Sequence, residues 1–183
     1  ARKEFEFDIS NPEQVSILKL NRNSPSSRII EELAIAVNRE TGRLFHETEF
    51  PGIYRTQSSY KIVKDPENEN QQFQDNIRVE PAKLTTIAGI HAGLGCEVYM
   101  HATSPIRRFV DLLTQHQLKN LINDEEPLYS SEDMMRWAEA ITLRQRKYNR
   151  AEKNILQYWK FKYLHQHMKE LFEAKIRKQL SNN

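Results

Sequence analysis

The sequence predicts an α+β chain, with short strands first and long helices after them, and three observations carry that prediction. KEFEFDI alternates apolar and charged residues around Phe5, Phe7 and Ile9, the period of a strand with one buried face. RIIEELAIAVNRETGRLFHE sets Ile30, Leu33, Ala34, Val37, Thr41 and Leu44 on one stripe at helical spacing. From residue 131 to about 178 there is neither Gly nor Pro, which predicts one long helix or two with a break. Strands followed by helices in this order make an α+β arrangement.

The remaining elements follow along the chain. After NPE, QVSILKL is a second β-compatible run, and NRNSPSS is turn chemistry. The next helix carries Glu31 and Glu32 in its first turn, where carboxylates suit the macrodipole. PGIYRTQ opens an irregular passage, and KDPENENQQFQDN predicts a mobile loop over about 64–76 because it has little to bury. Gly89, Gly93 and Gly95 cluster in GIHAGLG, which predicts a tight bend or a close backbone approach. CEVYM reads as a short strand. In the last helix Trp137, Ile141, Tyr148, Ile155 and Trp159 form an imperfect stripe.

HATSPIRRFVDLL, residues 101–113, poses a physical problem. Thr103 and Ser104 are good N-cap residues and Pro105 suits the first helical position, so a helix is expected to begin here. Arg107 and Arg108 then fall in its first turn, where a cation costs roughly 0.3–1 kcal/mol. Either each arginine pairs with a nearby carboxylate or solvent, or an anion completes the site. Backbone N–H groups at a helix start and a guanidinium fork are both shaped for phosphate or carboxylate. The spacing leaves both readings open.

Composition narrows the field. In 183 residues no apolar run approaches the roughly 20 needed to span a bilayer, and ARKEFEFD lacks the apolar stretch of a signal peptide. Cys96 is the only cysteine, so no intrachain disulfide can form; a reducing setting, cytoplasmic or in an organellar matrix, is expected. No cysteine-based zinc site can be assembled, and the six histidines show no HxxxH or HExxH spacing. Net charge is only +2, but its distribution is uneven. From Ser131 onward there are 12 Lys/Arg against 6 Asp/Glu, and before it 15 against 19. Such a basic segment is either a solvated helix face or a contact for a polyanion.

At YMHATSPIRRFVDLL the sequence resembles the RNB family, the catalytic domain of ribonucleases II and R. The family's signature runs approximately Tyr-x-His-x-Thr-Ser-Pro-Ile-Arg-Arg-Tyr-x-Asp-Leu. Tyr99, His101, Thr103, Ser104, Pro105, Ile106, Arg107, Arg108, Asp111 and Leu112 match it, with Phe109 in place of the tyrosine. HAGLGCEVY is similar to the family's lead-in, RIIEELAIAVN to its Ile-Glu-Glu-x-Met-x-x-x-Asn helix, and NRAEKNILQYW to its later Glu-bearing helix. The blocks stand in the family's order across most of residues 1–175. A histidine expected four positions after Asp111 is replaced by Gln115, with His116 one place late.

The resemblance implies a processive, hydrolytic 3′–5′ exoribonuclease that degrades single-stranded RNA with Mg²⁺. It implies Arg107 at the scissile phosphate, Glu31 on the terminal ribose and Glu152 at the same end of the channel, with Arg108, Ser104, Tyr99 and His101 also contacting RNA. Tyr54, Phe109 and Tyr148 are either stacking surfaces or core. The family's aspartate-rich metal motif has no counterpart, because Asp8, Asp65, Asp75, Asp111, Asp124 and Asp133 are scattered. Residues 1–183 therefore read as the C-terminal portion of an RNB catalytic domain. The N-terminal half and the OB-type RNA-binding domains lie elsewhere, and the chain alone is expected to be inactive. Expected partners are single-stranded RNA and the missing half-domain, with no membrane, and an incomplete sheet favours self-association. The alternative is a non-catalytic RNB-derived module that holds RNA or a protein.

Overall fold

A computed structural model describes residues 4–11, 13–20, 24–58, 61–62, 77–78 and 80–172. The loop expected at 64–76 lies outside the described residues. The chain divides into two compact units, residues 1–22 with 149–183, and residues 23–148. Its elements are β1 (Glu4–Asp8), β2 (Ser16–Leu20), α1 (Pro25–Glu47), β3 (Tyr54–Thr56), β4 (Lys61–Ile62), β5 (Ile77–Arg78), β6 (Lys83–Thr85), α2 (Phe109–Ile122) and α3 (Ser131–Gln166). The α+β class is as predicted.

In the smaller unit β1 and β2 form an antiparallel hairpin, from Glu4 opposite Leu20 to Asp8 opposite Ser16. The last turns of α3 are tied to the hairpin connection. Gln166 donates to the Glu13 carbonyl at 2.7 Å and accepts from the Val15 N–H at 3.0 Å. Phe7 stands 6.3 Å from the Tyr163 ring. The alternation in KEFEFDI is real, but Phe5 is exposed and only Phe7 is half-buried.

In the larger unit, α1 begins earlier than the turn chemistry of NRNSPSS suggested. Ser24 is the N-cap, its hydroxyl accepting from the Ser27 N–H at 3.2 Å, and Pro25 opens the helix. Glu31 and Glu32 consequently lie beyond the first turn, which holds no acidic residue. The buried face is also displaced from the predicted stripe. Asn38, Thr41, Gly42 and Phe45 are buried, whereas Ile30, Leu33 and Val37 are 68%, 62% and 51% exposed. The reason is a close approach: a Cβ on Gly42 would stand 3.2 Å from the Tyr99 nitrogen and 3.3 Å from that of Met100. Apolar periodicity is blind to a contact that a glycine and an asparagine make possible.

Two apolar clusters fill this unit. Phe45, Tyr54 and Met100 pack with Phe50, Leu118 and Leu121. Ile53, Val110, Leu113, Met134 and Ala138 pack with Leu84, Tyr129 and Ile141. Burying each large side chain contributes about 1.5–3 kcal/mol. Tyr54 is therefore core. Phe109 is half-exposed, edge-on to Trp137 at 5.1 Å, and Tyr148 is exposed. The stripe predicted for α3 is partly offset: Ile141 packs on the core and Trp159 is half-buried, but the buried positions are Met134 and Ala138, and Trp137, Tyr148 and Ile155 face solvent. α3 is one helix, begun by a reciprocal cap: Asp133 N–H donates to Ser130 Oγ at 3.1 Å, and the Asp133 carboxylate accepts from Ser130.

The expected CEVYM strand is absent. Cys96 and Met100 instead form isolated bridges to His91 and Tyr54, and β3 pairs antiparallel with β6. Gly95 closes the short 3-10 turn at Ala92–Leu94 with φ of +64°, so the glycine cluster does include a tight bend.

Candidate functional site

The motif segment 99–108 is held against α1 by Asn38. Its amide nitrogen donates to the Tyr99 hydroxyl at 2.9 Å and, at 3.4 Å, to Thr103 Oγ1. Its amide oxygen accepts from the Ala102 N–H at 2.8 Å, and its backbone carbonyl accepts from the Met100 N–H. From the other side, Gln115 in α2 donates to the Ala102 carbonyl at 2.7 Å. The residue that departs from the family pattern thus secures the segment from α2.

Helix α2 does not begin at Pro105. Residues 105–107 form a turn in which the Ser104 carbonyl accepts from the N–H groups of Arg107 and Arg108. Arg108 is extended, with φ −127° and ψ 114°, and this breaks the turn from the helix that starts at Phe109. Thr103 and Ser104 are not its caps, and Arg107 and Arg108 are not in its first turn. Asp111 is in that turn, where the macrodipole favours it.

Asp111 organises the turn. It is 0% exposed, and its Oδ1 accepts from the Ser104 N–H and from Arg108 Nη2, both at 2.8 Å. For Arg108 the plainer reading of the two arginines is correct: it pairs with a carboxylate and is half-buried. Arg107 differs. It is exposed, and among the described residues its guanidinium reaches the Ser104 hydroxyl alone, at 3.4 Å. Among the described residues it forms no ion pair.

Behind the turn lie polar groups that composition alone does not reveal. His101 Nε2 is 2.7 Å from Arg55 Nη1, and its Nδ1 is 4.0 Å from Asp111 Oδ2. Burial, together with the guanidiniums of Arg108 and Arg55, pushes the His101 imidazole down to about 4. It is neutral at physiological pH. His91, its ring 5.4 Å from that of Tyr99, is also shifted down, chiefly by burial. Asp111 Oδ2, Arg108 Nε and both ring nitrogens of His91 are buried without a hydrogen-bond partner.

The predicted site residues are therefore distributed as follows. Arg107, Arg108 and Ser104 share one turn. Tyr99 and His101 are interior residues, 6% and 8% exposed. Glu31 is exposed on α1 in the larger unit, and Glu152 is exposed on α3 in the smaller one. Arg55 was missed. Its only signal was a lone arginine in an irregular stretch, and its partner lies forty-six residues away. The donor set does not fit a metal centre: among the described residues no three His, Cys, Asp or Glu side chains converge, and one oxygen of Asp111 is committed to Ser104 and Arg108. Nor is any helix, among those residues, long and apolar enough to cross a membrane.

Comparison with known proteins agrees with the motif. Residues 60–124 match the RNB domain. An uncharacterised ribonuclease of Synechocystis is 24% identical over 172 residues, covering 91% of this chain and 26% of that protein. Exoribonuclease 2 of Vibrio parahaemolyticus is 23% identical over 190 residues, covering 84% of this chain and 28% of its own length. Ribonuclease R of Mycoplasma genitalium, solved in complex with ribose-methylated single-stranded RNA, superposes with a TM-score of 0.74 at 17% identity, over 91% of this chain and 33% of that one. That likeness shows the fold. The chain spans about a quarter of the length of these curated relatives.

Proposed function

We propose, from the match of residues 60–124 to the RNB domain, that residues 1–183 form the C-terminal portion of the catalytic domain of a hydrolytic, processive 3′–5′ exoribonuclease acting on single-stranded RNA. One observation carries the reading. Of two adjacent arginines, Arg108 is spent on a buried carboxylate, while Arg107 is left exposed on a turn fixed at both ends.

Such a guanidinium suits a phosphodiester. As water attacks phosphorus and the bond to the leaving 3′ nucleotide lengthens, charge changes on the phosphoryl oxygens. A planar fork of donors carried on a fixed turn stabilises that charge more than it stabilises the ground state. The Ser104 hydroxyl limits the guanidinium on its protein side. Asp111, Arg108, Asn38 and the buried Tyr99 and His101 keep the turn rigid. Glu31 would hold the terminal ribose, and Glu152 would contact the RNA.

Mg²⁺ would supply activation of the attacking water in the complete domain. Among the described residues the donor set does not fit the ion, so its ligands would come from the N-terminal half of the domain. That half-domain is the expected partner. The exposed Ile30 and Leu33 of α1 would favour self-association of the isolated chain. The lone Cys96 suits a reducing compartment, cytoplasmic or organellar.

The test uses the full-length protein that carries this chain, with 5′-labelled single-stranded RNA and Mg²⁺, beside its Arg107→Ala variant. A ladder shortening from the 3′ end is expected. In the variant turnover should fall about 10²–10³-fold, with RNA affinity nearly retained. Equal loss of rate and affinity would instead make Arg107 a binding residue. Uncut RNA with retained affinity in the parent protein would point to a non-catalytic RNA-binding module.

A further inference from the structure

Arg55, in β3, has no role in the reading above. Its Nη1 stands 2.7 Å from His101 Nε2. A guanidinium carries only donors, so Nε2 is the acceptor and the proton of the neutral ring sits on Nδ1. His101 Nδ1 stands 4.0 Å from Asp111 Oδ2, beyond hydrogen-bond length but within electrostatic reach, and that buried oxygen has no hydrogen-bond partner. The other oxygen of Asp111 holds the Ser104 N–H and Arg108, the two ends of the turn that carries Arg107.

We infer that Arg55 is a positioning residue for Arg107: by fixing the Nδ1–H form of His101 it presents a donor to the free oxygen of Asp111, and so steadies the carboxylate that anchors the turn. The inference rests on the role proposed for Arg107.

The reverse tautomer would create two conflicts at once. An Nε2–H would face the donors of Arg55, and a lone pair on Nδ1 would face the Asp111 carboxylate. In the assigned form Arg55 donates to His101 Nε2, and the far side of the ring turns an N–H, not a lone pair, toward the Asp111 carboxylate 4.0 Å away. The ring also stays neutral. Its charged neighbours are Arg55 from β3, Arg108 from the turn and Asp111 from α2, with His91 and the edge-on Tyr99 ring, 5.8 Å away, completing its surroundings. Two cations against one carboxylate, together with burial, hold its titration down at about 4.

Two measurements test this. The first needs no variant: nitrogen-15 NMR of the histidine rings in the full-length protein should show His101 protonated on Nδ1 and bare on Nε2 at neutral pH. The second compares kcat and KM for Arg55→Gln and Arg55→Lys on single-stranded RNA across pH. Arg55→Gln should lower kcat by about 10²-fold with KM little changed. It should also move the acid limb of the rate profile to higher pH, because a cation beside His101 has gone. Arg55→Lys, which keeps charge and a donor, should recover part of the rate and leave the acid limb in place. A purely structural role would depress the rate alike at every pH.

A proton found on Nε2, or wild-type kinetics and pH profile in Arg55→Gln, would overturn the inference. If Arg55→Gln does not fold, the wild-type ring spectrum and Arg55→Lys still decide. An inactive parent enzyme, or an Arg107→Ala variant without effect, would refute the functional reading instead. The ring spectrum would then still report whether Arg55 and His101 are coupled.

Discussion

Asn38 and Tyr99, sixty-one residues apart, meet through a buried hydrogen bond of 2.9 Å between the amide of one and the hydroxyl of the other. The same asparagine accepts from the Ala102 N–H, so one side chain fastens α1 to the segment leading into the arginine turn. Asn38→Ala leaves a buried N–H and a buried hydroxyl without partners. A loss of about 2–3 kcal/mol is expected in urea denaturation. Tyr99→Phe removes only one end of one bond and should cost about 1 kcal/mol.

Gly42→Ala tests the same contact from its backbone side. In an exposed helix the change would gain nearly 1 kcal/mol of helix propensity. Here the new methyl would press on the Tyr99 and Met100 backbone, which Asn38 holds in place. A net loss of about 1 kcal/mol or more is expected. In the double variant with Asn38→Ala the two losses should not add, because the freed segment can retreat. Additive losses would show that the segment is held by other contacts.

Gln117 is 0% exposed and bonds three backbone groups: the carbonyls of Pro51 and Tyr129 and the Tyr129 N–H. Gln117→Leu preserves volume but strands all three. Thermal or urea unfolding should show a loss of about 2–3 kcal/mol. A near-neutral result would mean that water replaces the amide.

His101 makes stability depend on pH. Its folded-state value is held at about 4, below the ordinary value of 6.5. Between these limits the unfolded chain binds a proton that the folded chain refuses, so its contribution to stability falls as pH drops from 6.5 towards 4. Integrated over that window the loss is about 3 kcal/mol. His101→Gln, stable enough to measure, should flatten this limb of the stability profile. An unchanged limb would assign the dependence to other groups.

Much of the fold was legible because it rests on local rules. β1 follows from alternation and β2 from a β-compatible run, and Ser24 and Pro25 announced a helix start that only their turn-like neighbours disguised. The predicted stripes were met in part. Thr41 in α1 is buried and Ile141 in α3 packs on the core, but the α1 face turns on Asn38 and Gly42, where hydrogen bonding and size decide, and the α3 face on Met134 and Ala138. The arginine motif was legible as a motif and not as geometry. Pro105 suggested a helix, and the extended Arg108 with the buried Asp111 made a turn instead. Arg55 was invisible because its importance lies in a partner from a distant stretch.

That turn has a thermodynamic consequence for Arg107. A guanidinium that touches only one hydroxyl at 3.4 Å keeps most of its rotational freedom. Freezing it against an anion forfeits about 1.5–2 kcal/mol of conformational entropy. A ground-state phosphate would recover little beyond that loss, whereas a species carrying more charge would recover it with surplus. Calorimetry on a non-hydrolysable RNA end should therefore find Arg107 adding favourable enthalpy and unfavourable entropy in near balance, its free-energy yield deferred until phosphorus begins to change hands.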